Sequence, residues 1–186
     1  QKAGILRPDQ VAVCNDPDPP DSVRNQARAL GTTISYLGVD HHYRADADGI
    51  AYRDAAGALT LPPPALAGAV QARNAAGAVR LVRMLAPRCP VPDAACVAGV
   101  RTARVTGRFD RRPGRPEWVL DVGHNPEAAR NLARNLADFP VPGPTVAVLG
   151  MLADKDIAGT LAPLLGHIGA WHVASLGGAR GARADA

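Results

Sequence analysis

Asp121 and His124 stand three residues apart in WVLDVGHNPEAARNL, residues 118–132, where an apolar run gives way to a helical pattern. An imidazole can donate to a phosphate or carboxylate, or pair with it as a cation, and a neighbouring carboxylate can orient that ring or hold loop backbone. Asn125 suits a helix N-cap, Pro126 the first helical position, and Glu127 the positive end of the helix dipole. The N–H groups left unpaired in that first turn favour an anion beside Asp121 and His124. On residue types alone, the pair serves equally well to receive an anion or to tie down a loop.

Three further stretches carry chemistry. In GMLADKD, residues 150–156, Asp154 and Asp156 can cap the helix that follows. Lys155 and Lys2 are the only lysines among 21 basic residues, and a compact ammonium does not substitute for a planar guanidinium. QARNAAG sets Asn74 in an alanine-rich helix, where a weak helix former implies either a base-edge or backbone hydrogen bond or a plain solvent-facing position. RTARVTGRFDRRPGR places Arg101, Arg104, Arg108, Arg111, Arg112 and Arg115 against the one acid Asp110, which reads as a solvated basic face or a phosphate-binding one. Neither a G-x-x-x-x-G-K-[ST] phosphate loop nor a G-x-G-x-x-G turn occurs, so the chain lacks the usual grip on a nucleoside triphosphate. Cys14, Cys89 and Cys96 form no C-x-x-C pair and suggest neither a disulfide framework nor a zinc site.

These residues need elements to position them. EWVLDVG, TVAVLGM and WHVASLG read as strands, separated by PEAARNLARNLADF and KDIAGTLAPLLGHI, both amphipathic at helical spacing. The β-α-β-α-β order predicts right-handed crossovers, a parallel sheet, and ligands outside the carboxyl ends of the strands, where Asp121–Asn125, Gly150–Asp156 and Gly177–Arg180 fall. Upstream, QVAVCN and TISYLG read as strands flanking a helix that ends at Gly31. YRADADGIAYRDAAGALTLP alternates around Asp48-Gly49 and Ala56-Gly57 as hairpins. A helix is expected from Leu66 to Ala86, broken by Pro87, and the proline-rich PRCPVPD suggests a domain boundary between residues 93 and 94.

The composition of the 186 residues, 47% hydrophobic and 20% charged with a net charge of +4, is that of a globular protein. No apolar run reaches the roughly 20 residues that span a bilayer, and QKAGILRP has no signal-peptide core, so a cytoplasmic protein without a membrane partner is expected. The chain starts without a methionine and stops just after a strand, which reads as a fragment.

In order along the chain, KAGILRPDQVAVCNDPDPPDS, QARNAAGAV, TGRFD, LDVGHNPEAARNLARNL and VLGMLADKDIAGTLAPLLGHIGAWHVASLGGARG resemble the bifunctional dihydrofolate synthase/folylpolyglutamate synthases of the Mur ligase superfamily. The resemblance implies an α/β fold: the C-terminal part of a P-loop ATPase domain (1–93), then a truncated Rossmann-like, mostly parallel glutamate ligase domain (94–186). It implies a monomeric enzyme that uses ATP and Mg2+ to turn a dihydropteroate or folate carboxylate into an acyl phosphate, which the amine of L-glutamate displaces. The P-loop and principal magnesium ligands would lie before Gln1, leaving the fragment inactive by itself. Residue by residue, Lys2 matches a carbamylated lysine that holds a second magnesium. Asn74 matches an asparagine near the adenine, Arg108 an arginine that reaches ATP, and Asp121 and His124 a pair serving ribose, phosphates and glutamate. Catalytic work would fall to Asp121, His124 and Lys2. Gln1, Val70, Thr106 and Gly123 depart from the family's usual Glu, His, Pro and Ala. The alternatives are a Mur-type ligase acting on a cell-wall precursor and a non-catalytic basic module for phosphate or nucleic acid. With 4% aromatic residues to stack on bases, no nucleic-acid partner is expected.

Overall fold

The computed structural model describes residues 2–185, apart from the side chain of Lys2. The chain forms two compact units, the first running to Ala65 and again from Ala69 to Arg104, the second comprising Leu66–Gly68 and Val105–Ala186.

In the first unit, β1 (Val11–Cys14) and β2 (Thr33–Tyr36) pair in parallel across α1 (Asp21–Leu30). Gly31 ends α1 at φ 64°, a left-handed conformation that costs glycine little, and its N–H caps the carbonyls of Ala27 and Arg28. Strands β3 (His41–Asp46), β4 (Gly49–Asp54) and β5 (Gly57–Leu61) form the expected antiparallel meander through two-residue turns. Period-2 alternation in β4 turns Ile50 and Tyr52 into the core at 1% and 2% exposure. There they meet Leu61 of β5, Ala76 and Val79 of α2 (Val70–Met84), and Cys96 of α3 (Asp93–Thr102).

Two elements differ from the sequence pattern. Helix α2 begins at Val70 and not at Leu66, because Gly68 sits at φ 110°, outside helical geometry. Helix α3 has no counterpart in that pattern, since the prolines of its approach mask the apolar spacing that follows. Asp93 opens it, and Val97 and Val100 pack on the core of the first unit.

In the second unit, β8 (Val146–Leu149) and β9 (Ala170–Val173) pair in parallel. Helix α4 (Pro126–Asp138) covers one face, where Ala129 and Ala133 pack with Leu132, Leu136, Leu164, Ile168 and Trp171. The short α5 (Ile157–Leu161) runs on into a 3-10 turn, Ala162–Leu164. The mixed α/β class is as expected, with a difference in pairing. β7 (Trp118–Leu120) runs antiparallel to β6 (Asp110–Arg112), because the intervening RPGRP turns the chain back beside itself. Val146 and Val148 are 51% and 69% exposed, so the other face of the β8–β9 pair is bare.

Candidate functional site

Asp121 could by residue type either tidy a loop or meet a ligand, and its surroundings decide between the two. Its carboxylate accepts two backbone donors, Phe109 N–H at Oδ2 (2.9 Å) and Gly123 N–H at Oδ1 (2.7 Å). The Val122 N–H donates to the Gly107 carbonyl at 2.9 Å. Together these bonds lace the TGRF turn, residues 106–109, to the loop after β7. The approach is close enough that a Cβ on Gly107, which sits at φ 75°, would lie 2.7 Å from Val122 Cγ1. Phe109, at φ 47°, is 5% exposed and packs on Phe139 with ring centroids 5.7 Å apart, which anchors the turn.

The lacing carries Arg108 and His124 on adjoining loops, both exposed. Arg111 and Arg112 are neutralised by Glu117 (2.6 Å) and Asp110 (2.9 Å), whereas Arg108 has no ion-pair partner among the described residues. His124 Nδ1 donates to the Val122 carbonyl at 3.0 Å; since a carbonyl only accepts, that nitrogen carries the proton. Nε2 is left as an acceptor in the neutral ring or a donor in the imidazolium. Asn125 caps α4 by accepting the Ala128 N–H at 2.9 Å, and Pro126 has no N–H to satisfy. The turn that bears Arg108, the loop that bears His124 and the positive end of a 13-residue helix are thus tied together, and such residues suit the holding of an anion.

At the next strand end both acids are engaged within the protein. Asp156 caps α5 by accepting the Gly159 N–H at 2.9 Å, and Asp154 accepts from Arg180 at 2.6 Å. That bond holds the Asp154 carboxyl below the usual range, but both partners are exposed, so it contributes little to stability. Lys155 is half-buried and joins no ion pair among the described residues.

Asn74 and Lys2 belong to the first unit. Asn74 lies on the exposed face of α2 and donates to Gln71 Oε1 at 3.1 Å. The backbone of Lys2 opens a 3-10 turn, Lys2–Ile5, and its side chain lies outside the described residues.

The first unit also holds a polar network that sequence reasoning missed. The Asp54 carboxylate, with no side-chain exposure, takes hydrogen bonds from Tyr52 (2.7 Å), Arg80 (3.2 Å) and Arg83 (2.8 Å). Burial would push that carboxyl up, but the donors of Tyr52, Ala56 and Arg83 outweigh it and hold it below the ordinary range. Burial, together with Asp54, raises the Tyr52 phenol. Arg80 Nε donates to Ser35 Oγ at 2.8 Å, and the fully buried His41 lies 3.1 Å from both Ser35 Oγ and Asn15 Oδ1. No sequence signal announced it, because its members come from β2, β3, β4, α2 and the loop after β1.

Residues 107–186 match the family described as Mur ligase, glutamate ligase domain. Over all 186 residues the chain is 37% identical to the Escherichia coli dihydrofolate synthase/folylpolyglutamate synthase, of which it spans 43%. Among solved structures, E. coli FolC in complex with ADP superposes with a TM-score of 0.84 at 37% identity, covering 99% of this chain and 44% of that one. A bifunctional folylpolyglutamate synthase/dihydrofolate synthase with Mn, AMPPNP and L-glutamate bound gives the same score and identity, over 99% and 43%. Residues 107–186 are thus a Mur ligase C-terminal domain, and the chain as a whole is homologous to part of the dihydrofolate synthase/folylpolyglutamate synthases. Its Mur ligase domain match opens at Gly107, so the TGRF turn from that glycine onward, Asp121 and His124 all fall inside it. Among the described residues, no three His, Cys, Asp or Glu side chains come together as a metal-binding group. No helix among them is long and apolar enough to cross a membrane.

Proposed function

We propose that the protein of the relatives' full length is an ATP-dependent ligase that adds L-glutamate to dihydropteroate and to folates. The observation that carries the reading is the laced pair of loops in the second unit, which bears Arg108, His124 and the start of α4 within a Mur ligase glutamate ligase domain. Its support is chemical: acyl phosphate formation concentrates negative charge, and preorganised cations and N–H donors stabilise such charge. ATP supplies the phosphoryl group, which passes to the pteroate or folyl carboxylate and releases ADP. The glutamate amine then attacks the acyl carbon, the amide bond forms, and phosphate leaves.

In this chemistry Arg108 and the first turn of α4 hold phosphate oxygens. His124, oriented by its Nδ1–H bond, offers Nε2 to the phosphate or the incoming amine. Asp121 holds both loops in register. Asn74 meets the adenine edge, and Lys2, once carbamylated, would be a metal ligand. The first unit is the end of the ATPase domain and the second the glutamate ligase domain, in a monomeric cytoplasmic enzyme. The relatives solved with ADP, and with AMPPNP, Mn and L-glutamate, bind the substrates this reading requires.

Glutamate-dependent ADP release from dihydropteroate tests it. The full-length protein is expected to be active and residues 1–186 alone silent. No release by the full-length protein, or turnover of a nucleotide-muramoyl acid in preference to dihydropteroate, would overturn the folate assignment.

A further inference from the structure

Asn15 stands just beyond β1, and its amide reaches α2 at one peptide group. Nδ2 donates to the Arg73 carbonyl at 2.7 Å, and that carbonyl belongs to the peptide unit whose N–H is Asn74's own. The approach is possible because residue 77, one turn further along, is glycine: a Cβ there would overlap the Asn15 amide. The orientation of that amide follows from chemistry. A carbonyl cannot donate, so the atom facing Arg73 O is the NH2 group and the atom facing His41 is Oδ1. His41 Nε2 must therefore carry a proton.

At the other side of the ring, Ser35 Oγ already accepts from Arg80 Nε, so its own hydrogen is free to reach His41 Nδ1. A neutral imidazole meets both demands. Every bond then points one way, from Arg80 through Ser35, His41 and Asn15 to the backbone of α2. Arg80 is itself held by Asp54. The chain contains no slack hydroxyl or amide, and such directed networks hold their members in one geometry.

We propose that Asn15, keyed by His41, is a positioning residue for the nucleotide base: it grips the peptide group that carries Asn74 and so sets where that side chain is presented to adenine. This rests on the reading that the full-length protein uses ATP and that Asn74 meets the adenine.

The test is steady-state kinetics on the full-length protein. Asn15→Ala is expected to raise the KM for ATP about fivefold to tenfold, the scale of one lost hydrogen bond. The KM for glutamate should stay unchanged. Adding Asn15→Ala to Asn74→Ala should produce no further rise, since the first acts through the second. In case Asn15→Ala does not fold, His41→Gln and His41→Asn provide a second arm. The first keeps an amide N–H where Nε2 stands and should retain the ATP KM, whereas the second does not reach Asn15 and should raise it. Asn15→Ala losses spread equally over all substrates, an additive double variant, or equal behaviour of the two His41 variants would overturn the positioning role. If Asn74→Ala leaves the ATP KM unchanged, the adenine reading itself falls and takes the proposal with it.

Discussion

Asp121 and His124 form one motif in the sequence, yet the structure separates their duties. Asp121 is partly buried and its two oxygens serve two backbone donors, while His124 is exposed and, among the described residues, its ring bonds only through Nδ1. Asp121→Asn keeps one acceptor but turns an NH2 toward the other N–H. The stranded donor should cost about 1–2 kcal/mol, read as a lower urea midpoint of residues 1–186. His124→Ala removes an exposed ring and should shift stability by less than about 0.5 kcal/mol, while lowering ligase turnover of the full-length protein. If His124→Ala destabilises as much as Asp121→Asn, its part is structural and the assignment of Nε2 to chemistry is wrong.

At the scale of elements, two helical glycines separate propensity from packing. Gly99 lies on α3, where a methyl group in place of its hydrogen would meet nothing within 4 Å, whereas a methyl at Gly77 on α2 would overlap Asn15. Alanine is the better helix former by about 1 kcal/mol. Gly99→Ala should therefore raise the thermal midpoint. Gly77→Ala should lower it in spite of the same propensity gain, because Asn15 must leave the Arg73 carbonyl and strand the His41 N–H. A rise in both variants would show that α2 and β1 are not held at this separation.

For the molecule as a whole, buried ionisable groups set the response to acid. His41 titrates below its usual range, first because it is buried and next because Arg80 lies beside it. His42 pushes the same way, while Asp40 and Asp54 oppose. A folded pKa below the unfolded one means that the unfolded chain takes up a proton that the folded chain refuses. Stability is thus complete above the unfolded value of about 6.5 and declines as pH falls below it. Asp54, also depressed in the folded state, adds a second loss below about pH 4. Urea midpoints should drop as pH falls below about 6.5 for the native sequence and stay flat down to about pH 4 for His41→Gln, with both falling below that. Parallel curves from pH 6.5 downward would exclude His41 as the group responsible.

Period and punctuation alone determined much of this protein. Two-residue turns before Gly49 and Gly57 marked the meander, Gly31 marked the end of α1, and Asn125-Pro126 marked the start of α4, because caps and turns are local and depend on a few adjacent dihedrals. Motif order was enough to identify the family. Tertiary structure alone decided that Asp121 bridges two loops, that β7 turns back on β6, that α3 joins the first unit's core, and that His41 is locked as a neutral Nε2–H ring. Those outcomes depend on groups far apart in the chain meeting with matched donors and acceptors, and spacing along one strand carries no record of which carbonyl will face which amide across the fold.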